Sequence, residues 1–302
     1  MRKTLNHNAI NGWLIVDKPR GISSFKVVST IKRILKPKKI GHAGTLDPEA
    51  TGVLAVALGE STKTIPYQTN TEKNYTFKIV WGKQTDSDDS EGKIINESKK
   101  RPEKYEILDI LPLFLGNLKQ MPPIFSAKKI NGKKAYDLAR SGQVVNLRPA
   151  NIQVFKLDLI KVWNKNSAEF FLSCGKGTYV RSIARDVGSA LGCFGYAKDI
   201  RRTCSGGMDI KRSIEFSLLK TLEKNELIDL ILPTQEVLKH IKEIKCNELQ
   251  YNRIKNGQSI NIESTSEGLK SEVWASYKEN PIAIGIIDGE VFSPKRILNI
   301  FS

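Results

Sequence analysis

The apolar positions along the chain switch between two periods. "WLIV" at Trp13–Val16 is a short unbroken apolar run closed by Lys18-Pro19-Arg20-Gly21, which predicts a strand and a turn. In "SSFKVVSTIKRILK" the residues Val27, Val28, Ile31, Ile34 and Leu35 recur at helical spacing, with Ser23 or Ser24 placed to cap. Lys36–Lys39 close that helix at a proline and put cations at the negative end of its dipole. "GHAGTLDPEATGVLAVAL" then predicts a glycine-rich loop entering a strand. "NYTFKIVWG" alternates as a half-buried strand does, and "KQTDSDDSEGK" after it predicts a polar, acidic loop. "KYEILDILPLFLG" predicts a helix; "NIQVFKLDLIKVW" and "AEFFLSCG" predict strands. "YVRSIARDVGSALG" predicts a helix with Val180, Ile183, Val187 and Leu191 on one face. Residues 213–240 read as a mainly helical connection. In the tail, "SINIES", "EVWASY" and "PIAIGIIDGEVFSP" predict short strands between turns, so residues 243–302 form a small β-rich module.

Charge narrows the partner. The 302 residues carry 48 Lys and Arg against 32 Asp and Glu, a net charge of +16. The excess is localised: residues 1–45 carry +9 and residues 124–151 carry +5, while residues 243–302 carry −1. Such basic stretches suit a polyanionic partner, whether nucleic acid, an acidic membrane surface or a phosphorylated ligand, or else belong to a merely soluble basic protein. No apolar run is long enough to cross a bilayer, and "WLIV" stops at Asp17, too soon for a signal peptide. The four cysteines, Cys174, Cys193, Cys204 and Cys246, show no Cys-x-x-Cys spacing. Buried free thiols in a reducing cytoplasm are the expectation.

Several chemistries are excluded by their missing motifs. In "CGKGTY" a glycine follows the lysine, so this is no P-loop; nor is there a Gly-x-Ser-x-Gly elbow, a His-Glu-x-x-His or a Gly-x-Gly-x-x-Gly. The acidic loop lacks the offsets of an EF-hand, and no metal is expected. What remains is Asp47, a lone acid between glycines and a proline. It either braces a turn or acts as nucleophile or base in a basic groove, where a cation would have to keep it ionised. Arg181 and Arg185 in "KGTYVRSIARD" are spaced i, i+4 and can share a helix face, with Tyr179 at the junction before them. That stretch equally fits the start of an amphipathic helix with solvated arginines. Tyr75 could stack on an extruded base or sit half-buried in its strand. His42 alone is a structural histidine. In "AKKINGKKAYDLARSG", Lys128, Lys129, Lys133, Lys134 and Arg140 surround Tyr136, which suits either a phosphate-tracking arm or a solvated helix.

These segments, taken in order, resemble the TruB family of tRNA pseudouridine synthases. The resemblance rests on "LIVDKPRGISS", "GHAGTLDPEATGVLAVALGESTK", "KNYTF", "MPPIFSAKKINGKKAYDLAR", "CGKGTYVRSIARDVG" and "IRRTCSGG", over roughly residues 10–210. It implies an α+β fold, with a mixed, largely antiparallel sheet flanked by helices in a catalytic domain at residues 1–242. A thumb insertion at about 124–151 and a PUA-like RNA-binding module at 243–302 complete the expected organisation. The implied reaction converts uridine 55 in the T arm of tRNA to pseudouridine. Asp47 matches the family's essential aspartate, Tyr75 the tyrosine that stacks on the flipped base, and Arg181 the arginine that pairs with the aspartate. Tyr179, His42 and Lys18 match supporting residues, and the lysines and Arg140 of residues 124–151 would meet the RNA backbone. No cofactor is needed, because C5 of the same base recaptures C1′. Attack by Asp47 at C1′ and removal of the C2′ proton are both open. A cytoplasmic monomer is expected. Two other functions are compatible with such a groove: a non-catalytic RNA-binding or tRNA-folding protein, and an enzyme acting on a phosphorylated small molecule.

Overall fold

The computed structural model describes residues 10–262 and 270–301, apart from residues 127, 131, 132, 142, 144 and 145. In chain order the elements are β1 (Gly12–Lys18), α1 (Ser24–Leu35), β2 (Ile40–Ala43), β3 (Thr51–Leu58), α2 (Ile65–Thr69), β4 (Lys73–Trp81), β5 (Lys83–Thr85), β6 (Ile94–Glu97), α3 (Lys104–Ile110), β7 (Gly116–Gln120), β8 (Lys129–Ile130), β9 (Lys133–Lys134) and α4 (Ala135–Arg140). They continue with β10 (Ala150–Asn164), β11 (Ser167–Cys174), α5 (Val180–Ala190), β12 (Gly195–Ser205), β13 (Met208–Asp209), β14 (Ile214–Glu215), α6 (Lys224–Asp229), β15 (Lys242–Lys245), α7 (Glu248–Lys255), β16 (Ile260–Asn261), β17 (Ser271–Tyr277), β18 (Asn280–Asp288) and β19 (Val291–Ile297). The chain divides into two compact units, one of residues 1–48, 54–69 and 211–302, the other of residues 49–53 and 70–210.

In the first unit β1 pairs with β14 in parallel, and β2 pairs with β3 in antiparallel register, His42 opposite Val56. The amphipathic stripe of α1 decides how that helix docks. Val27, Ile31 and Leu35 are buried with Leu14, Val16, Leu54, Val56 and Leu58, while Val28 and Ile34 pack at the margin. Full burial of each such side chain contributes roughly 1.5–3 kcal/mol. The Ser23 hydroxyl accepts the Lys26 N–H and starts the helix; Lys36, at φ 51, ends it by donating its N–H to the Lys32 carbonyl. The same unit holds the five-stranded sheet β15-β17-β18-β19-β16 over a core of Ile244, Ile254, Val273, Ile282, Ile287 and Phe292.

In the second unit β12, β4, β11, β10 and β7 form an antiparallel series, with the first residues of β3 parallel to β12. Residues 73–81 alternate buried and half-buried without a break, as the sequence predicts. Two glycines allow close approaches between elements of the sheet and its helix. A Cβ on Gly52 would stand 2.1 Å from the Arg202 carbonyl oxygen, and one on Gly188 of α5 would stand 2.4 Å from the Gly195 amide nitrogen of β12.

The structure departs from the sequence reading in five places. The glycine-rich motif begins on a strand: Ile40–Ala43 pair with β3, and only the residues between Ala43 and Thr51 form the loop. The helix expected at 104–116 stops at Ile110, because Pro112 converts the next turn to a 3₁₀ helix, Leu111–Phe114. The connection at 213–240 is a series of short helical turns around α6, preceded by β14. The β-rich tail carries a helix, α7, capped by Asn247. Cys174 and Cys193 are buried free thiols, but Cys204 and Cys246 are half-buried.

Candidate functional site

The loop bearing Asp47 is fixed on both sides of the acid. Before it, the Ser24 hydroxyl donates to the Leu46 carbonyl and accepts the Leu46 N–H, each at 2.9 Å. After it, the Pro48 carbonyl accepts from the Lys18 ammonium at 3.0 Å and from the Gly21 N–H at 2.9 Å. Lys18 is fully buried, and its ammonium also donates to the carbonyls of Pro19 and Ile22 at 2.9 and 2.8 Å. A buried ammonium needs such acceptors. The turn "DKPRG" and the cap region "SS" therefore meet the glycine-rich loop and hold Asp47, half-buried, in one backbone position. His42 stands five residues earlier, on β2.

The second unit presents the aromatic and cationic residues. Tyr75 is 9% exposed, on the buried face of β4, opposite Leu172 of β11 and Arg202 of β12. Arg202 is itself buried and donates from Nε to the Val53 carbonyl at 2.7 Å. Lys73 lies two residues before Tyr75 on the same face. Burial, reinforced by Arg202 and opposed by Cys174, brings its ammonium down to about 8. Tyr179 precedes α5 with no side-chain cap. Instead the side-chain amide of Gln120 brackets its backbone, accepting the Tyr179 N–H at 2.9 Å and donating to the Tyr179 carbonyl at 3.2 Å.

Arg181 is not a solvated helix-start arginine. It is 4% exposed and donates to the Ser87 carbonyl at 2.9 Å, to the Asp89 carboxylate at 3.3 Å and to the Phe125 carbonyl at 2.9 Å. Arg185, one turn on, meets Asp88 at 2.8 Å, Asp186 at 2.8 Å and the Met121 carbonyl at 2.9 Å. Burial pushes the Asp88 carboxyl up to about 6, with Arg185 and Arg181 opposing the push. The i, i+4 spacing does put both arginines on one face, and that face is met by the loop expected to be merely polar. Asp88, Asp89 and Gln120 are the residues sequence reasoning missed. The available signal was the pair of adjacent acids matched to the pair of arginines.

The arm at 124–151 is described in part. Lys128 donates to the Arg148 carbonyl at 3.0 Å. Lys129 lies on β8, Lys133 and Lys134 on β9, and Arg140 ends α4. Among the described residues no group of three or more His, Cys, Asp or Glu is placed to hold a metal ion. No helix among them is long and apolar enough to cross a membrane.

Residues 32–180 match the model of the TruB family pseudouridylate synthase N-terminal domain. The chain is 42% identical to tRNA pseudouridine synthase B of Ruegeria sp. (strain TM1040), over 96% of each protein. It is 43% identical to tRNA pseudouridine synthase B of Paracoccus denitrificans (strain Pd 1222), over 96% of this chain and 97% of that one. Among solved structures, a Cbf5-Nop10-Gar1 complex superposes with a TM-score of 0.73 at 21% identity, covering 97% of this chain and 86% of its own. An H/ACA RNP bound to a substrate RNA containing 2′-deoxyuridine gives 0.72 at 19%, with the same coverage. These likenesses establish the α+β pseudouridine synthase fold. The chain belongs to the TruB family of pseudouridylate synthases.

Proposed function

We propose that the chain isomerises uridine 55 in the T arm of tRNA to pseudouridine, with Asp47 as the catalytic carboxylate, acting as nucleophile at C1′ or as base at C2′. The observation that carries this reading is the Asp47 loop itself. It is pinned by Ser24 and Lys18, in a chain whose near-full-length relatives are named tRNA pseudouridine synthase B. A lone carboxylate held this way suits a reaction in which one acid suffices. The C1′–N1 bond breaks, the uracil turns within the site, C1′ bonds to C5, the C5 proton departs and the freed N1 takes up a proton, so that the product is an isomer of the substrate. Nothing is oxidised or reduced, so no cofactor is required. A glycosidase needs a second carboxylate to serve the leaving group and the incoming water.

In this reading the base leaves its stack, at a few kcal/mol, and stacks on Tyr75. Arg181 and Tyr179 serve the same site from the start of α5, and Lys18 and His42 support the Asp47 loop. Lys128, Lys129, Lys133, Lys134 and Arg140 contact the RNA backbone, and residues 243–302 add RNA affinity. The protein acts as a cytoplasmic monomer, without metal. A tRNA-folding role is the second reading, favoured by the basic stretches alone.

Asp47→Asn separates the two. It keeps the side chain's shape but supplies neither nucleophile nor base. Tritium release from tRNA labelled at uridine C5 is expected to vanish, while tRNA affinity stays within about threefold. Release at the normal rate removes Asp47 from the chemistry. Loss of release and binding together supports a structural role in the turn before Pro48.

A further inference from the structure

The sheet of the second unit has two faces of different character. One is the face of Tyr75, Phe77 and Ile79, covered by α5: a Cβ on Gly195 would meet both Ile79 and the Ala184 carbonyl oxygen. On the opposite face Thr76, Lys78, Val80 and Phe171 are half-buried, and Lys161 and Lys198 are exposed. Trp163, at the end of β10, is 48% exposed.

The indole is held rather than loose. Its Nε1 donates to the Glu169 carboxylate at 2.9 Å, and the ammonium groups of Lys161 and Lys78 stand 4.0 and 4.8 Å from the ring centroid. The cations around it are unequal. Lys78 is tied to Asp199 at 3.0 Å and Lys156 to Asp158 at 2.8 Å. Glu169 is engaged with the indole. Lys161 and Lys198 on this face, and Lys165 in the turn after β10, have no carboxylate partner among the described residues, and Lys161 and Lys198 leave the face with an excess of positive charge. An oriented, half-exposed tryptophan leaves apolar area in water, and the unpaired lysines beside it favour an anion. Aromatic rings flanked by cations on an open antiparallel sheet form a stacking platform with electrostatic tracking of phosphates.

We propose that this open face, centred on Trp163, binds a single-stranded RNA segment. A base stacks on the Trp163 indole in the place Lys161 now occupies, and Lys161 turns to a phosphate, joined by Lys198. Lys78 stays, because Asp199 holds it. The inference rests on residues other than those of the proposed isomerase site, although it shares the expectation of an RNA partner with that reading.

Trp163 offers a direct probe. The chain has four tryptophans, and Trp13, Trp81 and Trp274 are buried at 0%, 2% and 6% exposure. Acrylamide quenching of the full-length protein's fluorescence therefore reports on Trp163. A short oligouridylate is expected to protect it. Trp163→Ala should weaken that binding about tenfold. Lys161→Ala should lower the slope of log affinity against log salt by about 0.7. Quenching unchanged at saturating oligouridylate, or equal affinity in Trp163→Ala and the parent, overturns the proposal. Protection that appears on raising protein concentration without RNA also overturns it and assigns the face to self-association. Pseudouridine formation in a tRNA transcript, measured on the same preparations, keeps the two readings apart. Protection without isomerisation fails the proposed reaction and leaves this surface standing; isomerisation without protection does the reverse.

Discussion

Helices α1 and α5 are nearly the same length, 12 and 11 residues, and both are amphipathic, yet they are fixed by different means. Local signals set α1. Ser23 caps it, Lys36 ends it in the left-handed region, and its last-turn cations, Lys32 and Arg33, face water. Distant partners set α5. Its first residue follows an uncapped tyrosine held by Gln120, and its two arginines are buried against the loop at residues 87–89 and the backbone of Met121 and Phe125. The start and stop of α1 are set by its own sequence, although its buried face still needs the strands it packs on. A helix whose start is fixed by two separate segments ties those segments together, and the candidate residues Tyr179 and Arg181 stand at that start.

The largest expected difference between the helices is therefore at Arg181. Arg181→Met removes the cation from Asp89 and leaves two carbonyls without their donor. Breaking a pair this buried costs roughly 3–5 kcal/mol. Pseudouridine formation should fall at least a hundredfold in whatever folded protein remains. Lys32→Met and Arg33→Met on α1 should each change stability by less than about 0.5 kcal/mol. Urea unfolding and tritium release on the three variants check this. Equal losses at Arg181 and Arg33 would erase the distinction between the helices.

That contrast also explains what was legible in the sequence. Periodicity and caps are local, so β1, α1, β4, β11 and α5 could be read from Trp13–Val16, the Val27–Leu35 stripe and the alternation of residues 74–82. The candidate acid was legible because glycine, histidine and proline around Asp47 are an unusual setting, and because the ordered segments resemble one family. The role of residues 87–89 was not legible. "DSDD" looks the same whether water or guanidinium groups surround it, and burial of Asp88 is decided by α5, about ninety residues later. Gln120 was missed for the same reason: an isolated glutamine carries no signal until the backbone it brackets is in place. The helix at 104–116 was overextended because apolar spacing continued through Pro112, whose missing N–H ends the regular helix.

Lys73 extends the contrast between charges held by neighbours and charges in water. Its folded-state value of about 8 lies below the ordinary lysine value of 10.5. Between those values the unfolded chain binds more protons than the folded one. Stability from this group therefore rises as pH increases from 8 to 10.5, and is least below 8. Lys73→Met should remove that rise. The difference between variant and parent stability, measured by urea unfolding at pH 7 and pH 10, should shift by between about 1 and 3 kcal/mol, the variant gaining relatively at pH 7. A difference independent of pH would mean that Lys73 remains as easily charged in the fold as in water.

The smallest expected effect tests the helix starts directly. The Ser23 hydroxyl accepts the Lys26 N–H at 3.2 Å, one of the donors that a helix start leaves without an intrahelical partner. Ser23→Ala removes that acceptor and should cost about 1 kcal/mol. Tyr179 occupies the corresponding position before α5, at φ −100° and ψ 114°, and makes no side-chain cap. Its backbone is held by the Gln120 amide, which Tyr179→Phe leaves in place. That variant should therefore change stability by less than about 0.5 kcal/mol, whatever it does to turnover. Both are measured by urea unfolding at one pH. A loss at Tyr179→Phe as large as that at Ser23→Ala would mean that the phenol hydroxyl holds the start of α5. Gln120 would then be only an accessory to that start, and the two helices would be fixed in the same way after all.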